Sequence, residues 1–327
     1  MLLAHTYEDI ISVENLLAAW KEFVRGKRGK DDVQEFQHRL MDNILALHRE
    51  LAAGTYKHGA YKHFRISDPK PRDIHKAMAR DRVVHHALHR ILYPFFDRTF
   101  IADSYSCRKG KGTHRAMNRF RQFAFRVSRN NKKTCHILKC DIRKFFASID
   151  HTILMSIIRH YISDRRTLQL IAGIVGSFNS GTLSTGLPLG NLTSQLLVNV
   201  YMNEFDQFAK HTLKAKYYIR YADDFVVLSH DKQLLESMRR RIAIFLHEQL
   251  KLELHPDKVF IKTFASGVDF LGWVHFPRHR VLRTTTKRRM LKRATGLEED
   301  NQIVQSYVGL LGHGNAKKLR QKMLEFS

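Results

Sequence analysis

Acidic residues stand at the ends of short, strongly β-forming segments in this chain. The segments KYYIRY and FVVLS, within 216–229, are joined across a turn that contains Asp223 and Asp224, which is typical of a β-hairpin. An earlier segment, HILKCD at 136–141, has the composition of a short apolar strand and ends on Asp141. If these strands are neighbours in one sheet, the three carboxylates meet at one edge of it.

Carboxylates gathered at one sheet edge suit a hard cation, because Mg²⁺ prefers oxygen ligands. Two such ions about 3.5 to 4 Å apart can assist an in-line phosphoryl displacement, one by activating the attacking hydroxyl and the other by stabilising the leaving pyrophosphate. Adjacent aspartates between two strands are also a common composition of an ordinary turn. The pair alone therefore leaves both a catalytic and a turn-forming interpretation open.

Five segments in the order KCDIRKFF, GLPLGNLTSQ, YADDFVVL, LHPDK and FLGW together resemble the palm motifs of reverse transcriptases. The resemblance implies that Asp141 and Asp223 are the principal ligands of two Mg²⁺ ions and that Asp224 is the second acid of the Tyr-x-Asp-Asp motif. It implies the carbonyl of Ile142 as a further metal ligand. Lys258 matches the lysine that donates a proton to the pyrophosphate leaving group, with a surface lysine after a proline turn as the alternative.

The same resemblance assigns a nucleotide-binding set. Phe146 stands where the family has an aromatic steric gate below the incoming sugar, so a preference for deoxynucleotides is expected; a core aromatic is the alternative. Arg72 matches a basic position that reaches the triphosphate, whose oxygens suit a guanidinium fork. Gly190 lets the backbone approach the nascent base pair closely, and Thr193 or Ser194 can cap the following helix. The full set is Lys70, Arg72, Phe146, Leu189, Gly190 and Gln195.

Basic and aromatic segments around these motifs are implied to contact the template and the primer. They are a glycine-punctuated basic loop, a hairpin that resembles the primer grip, and a C-terminal segment, SYVGLLGHGNAKKL, that resembles the thumb helix. The residues assigned to this role are Arg108, Lys109, Lys111, Arg115, Ser194, Phe270, Leu271, Gly272, Trp273, Lys317, Lys318 and Arg320. Solvated surface charge and buried sheet are the alternative roles of these positions.

The motif GLPLGNLTSQ departs from the commonest family pattern, Gln-Gly followed by Ser-Pro, at Leu189 and Gln195. That departure resembles the reverse transcriptases of diversity-generating retroelements. The resemblance implies an enzyme that copies a template-repeat RNA with errors at adenines, together with an accessory variability determinant protein and a structured RNA. As a hypothesis we attribute the infidelity to Leu189, because an aliphatic side chain removes hydrogen bonds that could hold the nucleotide or the template.

The sequence leaves two alternative functions open. One is another bacterial reverse transcriptase of the same fold, such as a retron, a phage-defence or an intron-derived enzyme. The other is a non-catalytic RNA-binding protein on a polymerase fold, although retention of all three acids speaks against it.

The charge balance agrees with a nucleic-acid partner. The 327 residues include 56 Lys and Arg against 31 Asp and Glu, a formal net charge of +25, and neutralising phosphates releases their counterions. No signal peptide is readable, no apolar run reaches the roughly 18 to 20 residues of a membrane span, and the three cysteines show no CxxC spacing. We therefore expect a cytoplasmic protein, encoded by a bacterium, phage or prophage, that binds template RNA, RNA/cDNA duplex and deoxynucleoside triphosphates and no membrane.

The expected architecture is an α+β right-hand polymerase fold with an antiparallel palm sheet. We expect fingers with an N-terminal helical extension over 1–135, a palm with a helical insertion over 136–276, and a helical thumb over 277–327. The segment LKLEL, at 250–254, is expected to be a strand. The length beyond the thumb leaves no room for an endonuclease, a ribonuclease H or a maturase extension, so those activities are expected from other proteins.

Overall fold

The computed structural model describes residues 2–67, 71–181, 183–298 and 301–324. Up to residue 130 the elements are α1 (Tyr7–Ile11), α2 (Val13–Phe23), α3 (Asp31–His38), α4 (Leu40–Ala52), β1 (Tyr61–Ile66), β2 (Arg72–Ala77), α5 (Ala79–Asp97) and α6 (Thr113–Val127). The middle of the chain forms β3 (His136–Asp141), α7 (His151–Arg159), α8 (Arg165–Gly176), α9 (Leu192–Gln207), β4 (Tyr218–Tyr221), β5 (Asp224–Ser229) and α10 (Lys232–Leu250). The remainder forms β6 (Phe260–Thr263), β7 (Val268–Phe270), β8 (Trp273–His275), β9 (Arg280–Leu282), α11 (Thr284–Ala294), α12 (Gln302–Leu311) and α13 (Lys317–Leu324).

These elements form two compact units, each built from three separate stretches of chain. Unit 1 comprises Met1–Ala102, Ile142–Thr212 and Ala243–Glu253, and unit 2 comprises Asp103–Asp141, Leu213–Ile242 and Leu254–Ser327. The division into fingers, palm and thumb remains a prediction. Within the described ranges, no helix combines the length and the apolar character that crossing a bilayer requires.

Unit 1 is mainly helical. The apolar stripe of α2, with Leu16, Ala19 and Phe23 fully buried, packs against α5, and α5 in turn packs against α9. The one hairpin described in this unit pairs β1 with β2 in antiparallel register from Tyr61 opposite Ala77 to Ile66 opposite Arg72. The helical spacing of apolar residues in 12–54 predicts helices, and the Tyr, Phe and Ile alternation that follows predicts a hairpin; both predictions are confirmed.

Unit 2 contains a four-stranded antiparallel sheet in the order β4-β5-β3-β6. Its central strand β3 has four consecutive buried residues, because β5 and β6 flank it and α6 packs on the sheet. The core between α6 and the sheet includes Phe120, Ile137, Val226 and Phe270. The apolar segments that predicted β3, β4 and β5 thus form neighbouring strands.

A smaller antiparallel sheet, β7-β8-β9, connects the four-stranded sheet to the C-terminal helices of unit 2. Trp273 lies in a second core with residues of α11, α12 and α13, including Met290, Val304 and Leu311. Gly314 is required here, since a Cβ at that position would lie 2.0 Å from an atom of the Trp273 indole.

The prediction of a strand at 250–254 is wrong. The amide of Leu252 donates to the Leu246 carbonyl at 2.8 Å, and Lys251 adopts a φ of 47°, so the chain turns at the end of α10. Leu250 and Leu252 are both buried. The alternation of leucines therefore reflects burial of the helix end, whereas the edge strand β6 forms further along the chain.

Candidate active site

Strand pairing in unit 2 brings the three predicted acids to one end of the sheet. Asp141, the last residue of β3, is directly opposite Asp224, the first residue of β5. Asp223 lies in the two-residue turn between β4 and β5, because Tyr221 pairs with Asp224. The expectation that these strands are neighbours is confirmed, while the catalytic roles of the acids stay predictions.

The turn that carries Asp223 is strained and is supported from within the protein. Ala222 has a φ of 56°, a left-handed conformation that costs a residue with a side chain roughly 1 kcal/mol. The fully buried Arg220 donates to the Ala222 carbonyl at 3.2 Å and to the Ser104 hydroxyl at 3.2 Å. Arg220 was not identified from the sequence, where the available signal was a cation inside an apolar strand, next to the acids.

Two of the three acids each form an ion pair with a lysine. Lys139 Nζ lies 3.0 Å from Asp224 Oδ1, and its side chain is only 8% exposed. Lys258 Nζ donates to Asp141 Oδ1 at 2.8 Å from a side chain that is 42% exposed. Burial raises the pKa of Asp224 to about 6, an effect that Lys139 opposes and that the nearby Asp223 and Asp141 reinforce. Lys139 was not identified from the sequence.

The acids fit Mg²⁺ by donor chemistry, since all their ligand atoms are carboxylate oxygens. Across the described part of the chain, however, no three His, Cys, Asp or Glu side chains are gathered into a group that could hold a metal ion. Asp141 and Asp224 are instead engaged by lysines, and the half-exposed Lys258 can leave Asp141 without disturbing the core. Ile142 is buried and begins a segment of unit 1.

In unit 1, backbone hydrogen bonds link three segments of the predicted nucleotide-binding set. The amide of Leu187 donates to the Phe146 carbonyl at 2.8 Å, and the amide of His75 in β2 donates to the Leu189 carbonyl at 3.0 Å. Gly190 has a φ of 108°, and a Cβ there would lie 2.9 Å from Ile74. The close approach that requires glycine is therefore to the β1-β2 hairpin.

The helix cap expected at Thr193 or Ser194 is wrong, because α9 begins one residue after Asn191, which holds the N-cap position. The Asn191 side chain makes no cap bond; it accepts from the Ala77 amide at 3.1 Å and donates to the His75 carbonyl at 2.8 Å. Thr193 is hydrogen-bonded to the buried ring of His85, whose pKa burial lowers to about 3. Ser194 is buried, so the structure gives it no exposed surface for template or primer.

The remaining nucleotide-binding residues differ in what surrounds them. Arg72 is the first residue of β2 and is exposed, and Gln195 is half-buried in the first turn of α9. Lys70 lies outside the described residues.

The basic loop before α6 is anchored to strand β4 in unit 2. The amide of Tyr105 donates to the Arg220 carbonyl at 3.0 Å, and the ammonium of Lys111 lies 5.1 Å from the centre of the Tyr105 ring. Arg108 donates to the Ser104 carbonyl at 3.1 Å, while Arg115 donates to the Gly110 carbonyl. Lys109 is exposed. The loop is thus hydrogen-bonded to β4, the strand that leads into the turn with Asp223.

The residues assigned to the primer grip are divided between core and turn. Phe270 and Trp273 are buried and pair across β7 and β8, whereas Leu271 and Gly272 form the turn with φ values of 53° and 85°. Of these four residues, Leu271 and Gly272 are the two that are only half-buried, so a primer can reach the turn. The cations assigned to the thumb, Lys317, Lys318 and Arg320, are all exposed on α13.

The chain is similar to known proteins in both sequence and fold. Residues 67–275 match the family described as "Reverse transcriptase (RNA-dependent DNA polymerase)". Protein YkfC of Escherichia coli is 28% identical over 79% of this chain and 77% of its own length. The group II intron-encoded protein LtrA of Lactococcus lactis is 22% identical over 71% of this chain, which spans about half (49%) of that relative.

A solved structure of apo telomerase from Candida tropicalis, truncated from its C-terminal domain, superposes with a TM-score of 0.52. It is 12% identical and covers 74% of this chain and 60% of its own. At that identity the likeness concerns the fold alone, and the expected right-hand polymerase fold with antiparallel sheets is confirmed.

Proposed function

Because the chain belongs to the reverse transcriptase (RNA-dependent DNA polymerase) family, we propose that it copies a template RNA into cDNA by adding deoxynucleotides to a primer. The direct pairing of Asp141 with Asp224 in neighbouring strands, with Asp223 in the adjoining turn, carries this proposal. It places oxygen donors of the kind that Mg²⁺ prefers at one end of a rigid sheet.

Asp141, Asp223 and Asp224 are the residues that would hold two Mg²⁺ ions, with the Ile142 carbonyl as a further oxygen donor. When bound, such ions activate the attacking hydroxyl and stabilise the leaving pyrophosphate. The protein's own contribution is to keep the acids together and ionised, which Lys139 does for Asp224 by opposing the rise in its pKa. Lys258 carries on Nζ the proton that a departing pyrophosphate requires.

We assign nucleotide recognition to the linked segments of unit 1. Arg72 supplies a guanidinium for the triphosphate, assisted by Lys70, and the Phe146 ring lies below the sugar, where it would clash with a 2′-hydroxyl. Leu189, Gly190 and Gln195 contact the nucleotide from the loop and the first turn of α9. If Phe146 is the gate, Phe146→Ala raises ribonucleotide incorporation relative to deoxynucleotide incorporation in single-nucleotide extension.

The basic loop, the turn of the primer grip and α13 are assigned to template and primer backbone. Each phosphate-contacting cation contributes a sequence-independent attraction that weakens with salt. Affinity for an RNA/DNA duplex should therefore fall steeply as salt is raised, and a flat dependence would contradict this assignment.

Primer extension on an RNA template with Mg²⁺ tests the proposed activity. Asp223→Asn should abolish cDNA synthesis while RNA binding stays close to that of the unmodified protein, because the change removes a charge at the metal site and no cation. Asp42→Asn, an exposed acid on α4, is the matched control and should extend primers normally. Continued synthesis by Asp223→Asn would remove the two-metal assignment.

The finer proposal is that this enzyme is error-prone at template adenines and acts in a diversity-generating retroelement. It rests on Leu189 and Gln195 in GLPLGNLTSQ. On this proposal it works in the cytoplasm as a ribonucleoprotein with a structured RNA and an accessory variability determinant protein. Leu189→Gln should lower the adenine error rate, and an unchanged rate would refute our explanation.

Similarity to the intron-encoded LtrA favours a second candidate, an intron-derived reverse transcriptase of ordinary fidelity. Sequencing the cDNA made by the purified protein separates the two. Errors concentrated opposite adenines support the diversity-generating role, and uniformly low error supports the intron-derived one.

A further inference from the structure

A cavity of about 240 Å³ lies in unit 2 where α6, the β8-β9 turn and the loop before α13 come together. It is separate from the turn assigned to the primer grip, because Leu271 and Gly272 join β7 to β8 at the other end of the small sheet. Its lining includes Arg121, Phe276, His279, Arg280, His313 and Asn315.

The cavity is cationic and contains no acid among its lining residues. Arg280 donates to the His313 carbonyl and, at 3.2 Å, to the Asn118 side chain, and its backbone amide donates to the Asn315 side chain at 3.3 Å. The His313 carbonyl and the Asn118 amide oxygen orient the guanidinium but carry no charge. Burial and then the neighbouring Arg121 lower the pKa of Arg280, as expected for two cations held close together.

Arg121 is exposed at the mouth of this cavity, and within the described ranges no carboxylate forms an ion pair with it. It also borders a second hollow of about 600 Å³, which is lined by Phe125 and Arg278 and again by no acid. Phe125 is 48% exposed, although large aromatic side chains are usually buried. Arg121, which lines both hollows, thus lies on one cationic surface with the exposed ring of Phe125.

Phe276, His279 and His313 supply further rings to the first hollow. Phe276 and His279 stack with ring centres 4.7 Å apart, and His114 and His313 with centres 3.5 Å apart. The Phe276 ring is also held from behind, because it packs so closely on Gly267 that a Cβ there would lie 2.6 Å from the ring. Such flat rings beside uncompensated arginines are the means by which proteins hold unpaired bases and their phosphates.

We propose that this surface binds a single-stranded segment of RNA, with one backbone phosphate held by Arg121 and Arg280. The proposal rests on the proposed function for the identity of the polyanion. It adds a nucleic-acid site at the end of the small sheet opposite the primer-grip turn, where the chain can hold RNA that is not being copied.

The test compares Arg121→Ala with Arg126→Ala in binding a single-stranded RNA of mixed sequence. Arg126 is also exposed on α6 but lines neither hollow, since five residues rotate it by about 140° around the helix. Arg121→Ala should weaken binding about tenfold and reduce the salt slope by about one, while Arg126→Ala changes affinity less than about twofold. Arg121→Lys should restore the slope but only part of the affinity, because ammonium lacks the planar fork.

Hydrogen exchange supplies a local readout. RNA should slow amide exchange in 276–280 and 312–315 in the unmodified protein and much less in Arg121→Ala. Equal RNA affinity of the two alanine variants, or RNA protection absent from both segments, overturns the proposal. Competition by polyglutamate as strong as by RNA also overturns it, because the surface would then select charge alone. If the unmodified protein binds RNA but extends no primer, the proposed function fails while the comparison of Arg121 with Arg126 still decides this site.

Discussion

The Asn191 side chain hydrogen-bonds the β1-β2 hairpin to the loop that contains Leu189 and Gly190. Asn191→Ala should therefore destabilise the contact between the hairpin and the loop. The Asn191 side chain bonds the amide of Ala77 at 3.1 Å and the carbonyl of His75 at 2.8 Å. Asn191 is 1% exposed and Ala77 is fully buried. Water therefore cannot readily replace the amide group at Ala77.

The expected magnitude follows from these two bonds. A buried group left without its partner costs about 1 to 3 kcal/mol. Most of this free energy comes from the Ala77 amide, which is buried. His75 is only half-buried, so its carbonyl can hydrogen-bond to water instead. We expect a loss of about 2 to 3 kcal/mol, which corresponds to about 30- to 150-fold more frequent opening of the hairpin.

Hydrogen exchange at the Ala77 amide measures this opening directly, and urea denaturation measures the loss for the whole protein. Asn43→Ala is the matched control, because Asn43 makes one half-buried bond, to the Phe36 carbonyl at 2.9 Å. It should cost about 1 kcal/mol and leave exchange at Ala77 unchanged. If Asn191→Ala loses no more stability than Asn43→Ala and Ala77 exchanges at its original rate, the reasoning is refuted.

Further substitutions test the Lys139-Asp224 pair, the core around Trp273 and a buried histidine. Lys139→Met should destabilise the protein by about 3 kcal/mol at pH 8, because it leaves the Asp224 carboxylate, which is only 19% exposed, without its cation. The loss should shrink at pH 5, where Asp224 is protonated. Equal losses at both pH values, measured by urea denaturation, would contradict this. Gly314→Ala should lower Tm, because its Cβ would collide with a buried indole, whereas Gly309→Ala in α12, with nothing within 4 Å, should leave Tm unchanged or raise it. Burial lowers the pKa of His275 from 6.5 to about 4, so as the pH falls the unfolded chain binds a proton before the folded protein does. The free energy of unfolding should therefore decrease by up to about 3 kcal/mol as the pH is lowered from 6.5 to 4. His275→Gln should make that decline shallower, and an unchanged pH profile would show that His275 is not its source.

Much of the local structure followed from the order of residues. Strand β3 has the bounds that its apolar pattern predicted, and the acidic hairpin forms where a turn joins two β-forming segments. These features depend on periodicity and turn chemistry within a few residues, which can be read from neighbouring positions. The error at 250–254 arose from the same source, since alternating leucines also suit a buried helix end.

The ordered motifs of the sequence were sufficient to indicate the polymerase family and to select Asp141, Asp223 and Asp224. The tertiary structure alone decided which partners these side chains have. Lys139 reaches Asp224 across paired strands, Lys258 reaches Asp141, and Asn191 bonds a hairpin more than a hundred positions earlier in the chain. A cation or an amide becomes the partner of a distant group only when folding brings the two segments together and removes water from them, and that depends on packing that no local pattern encodes.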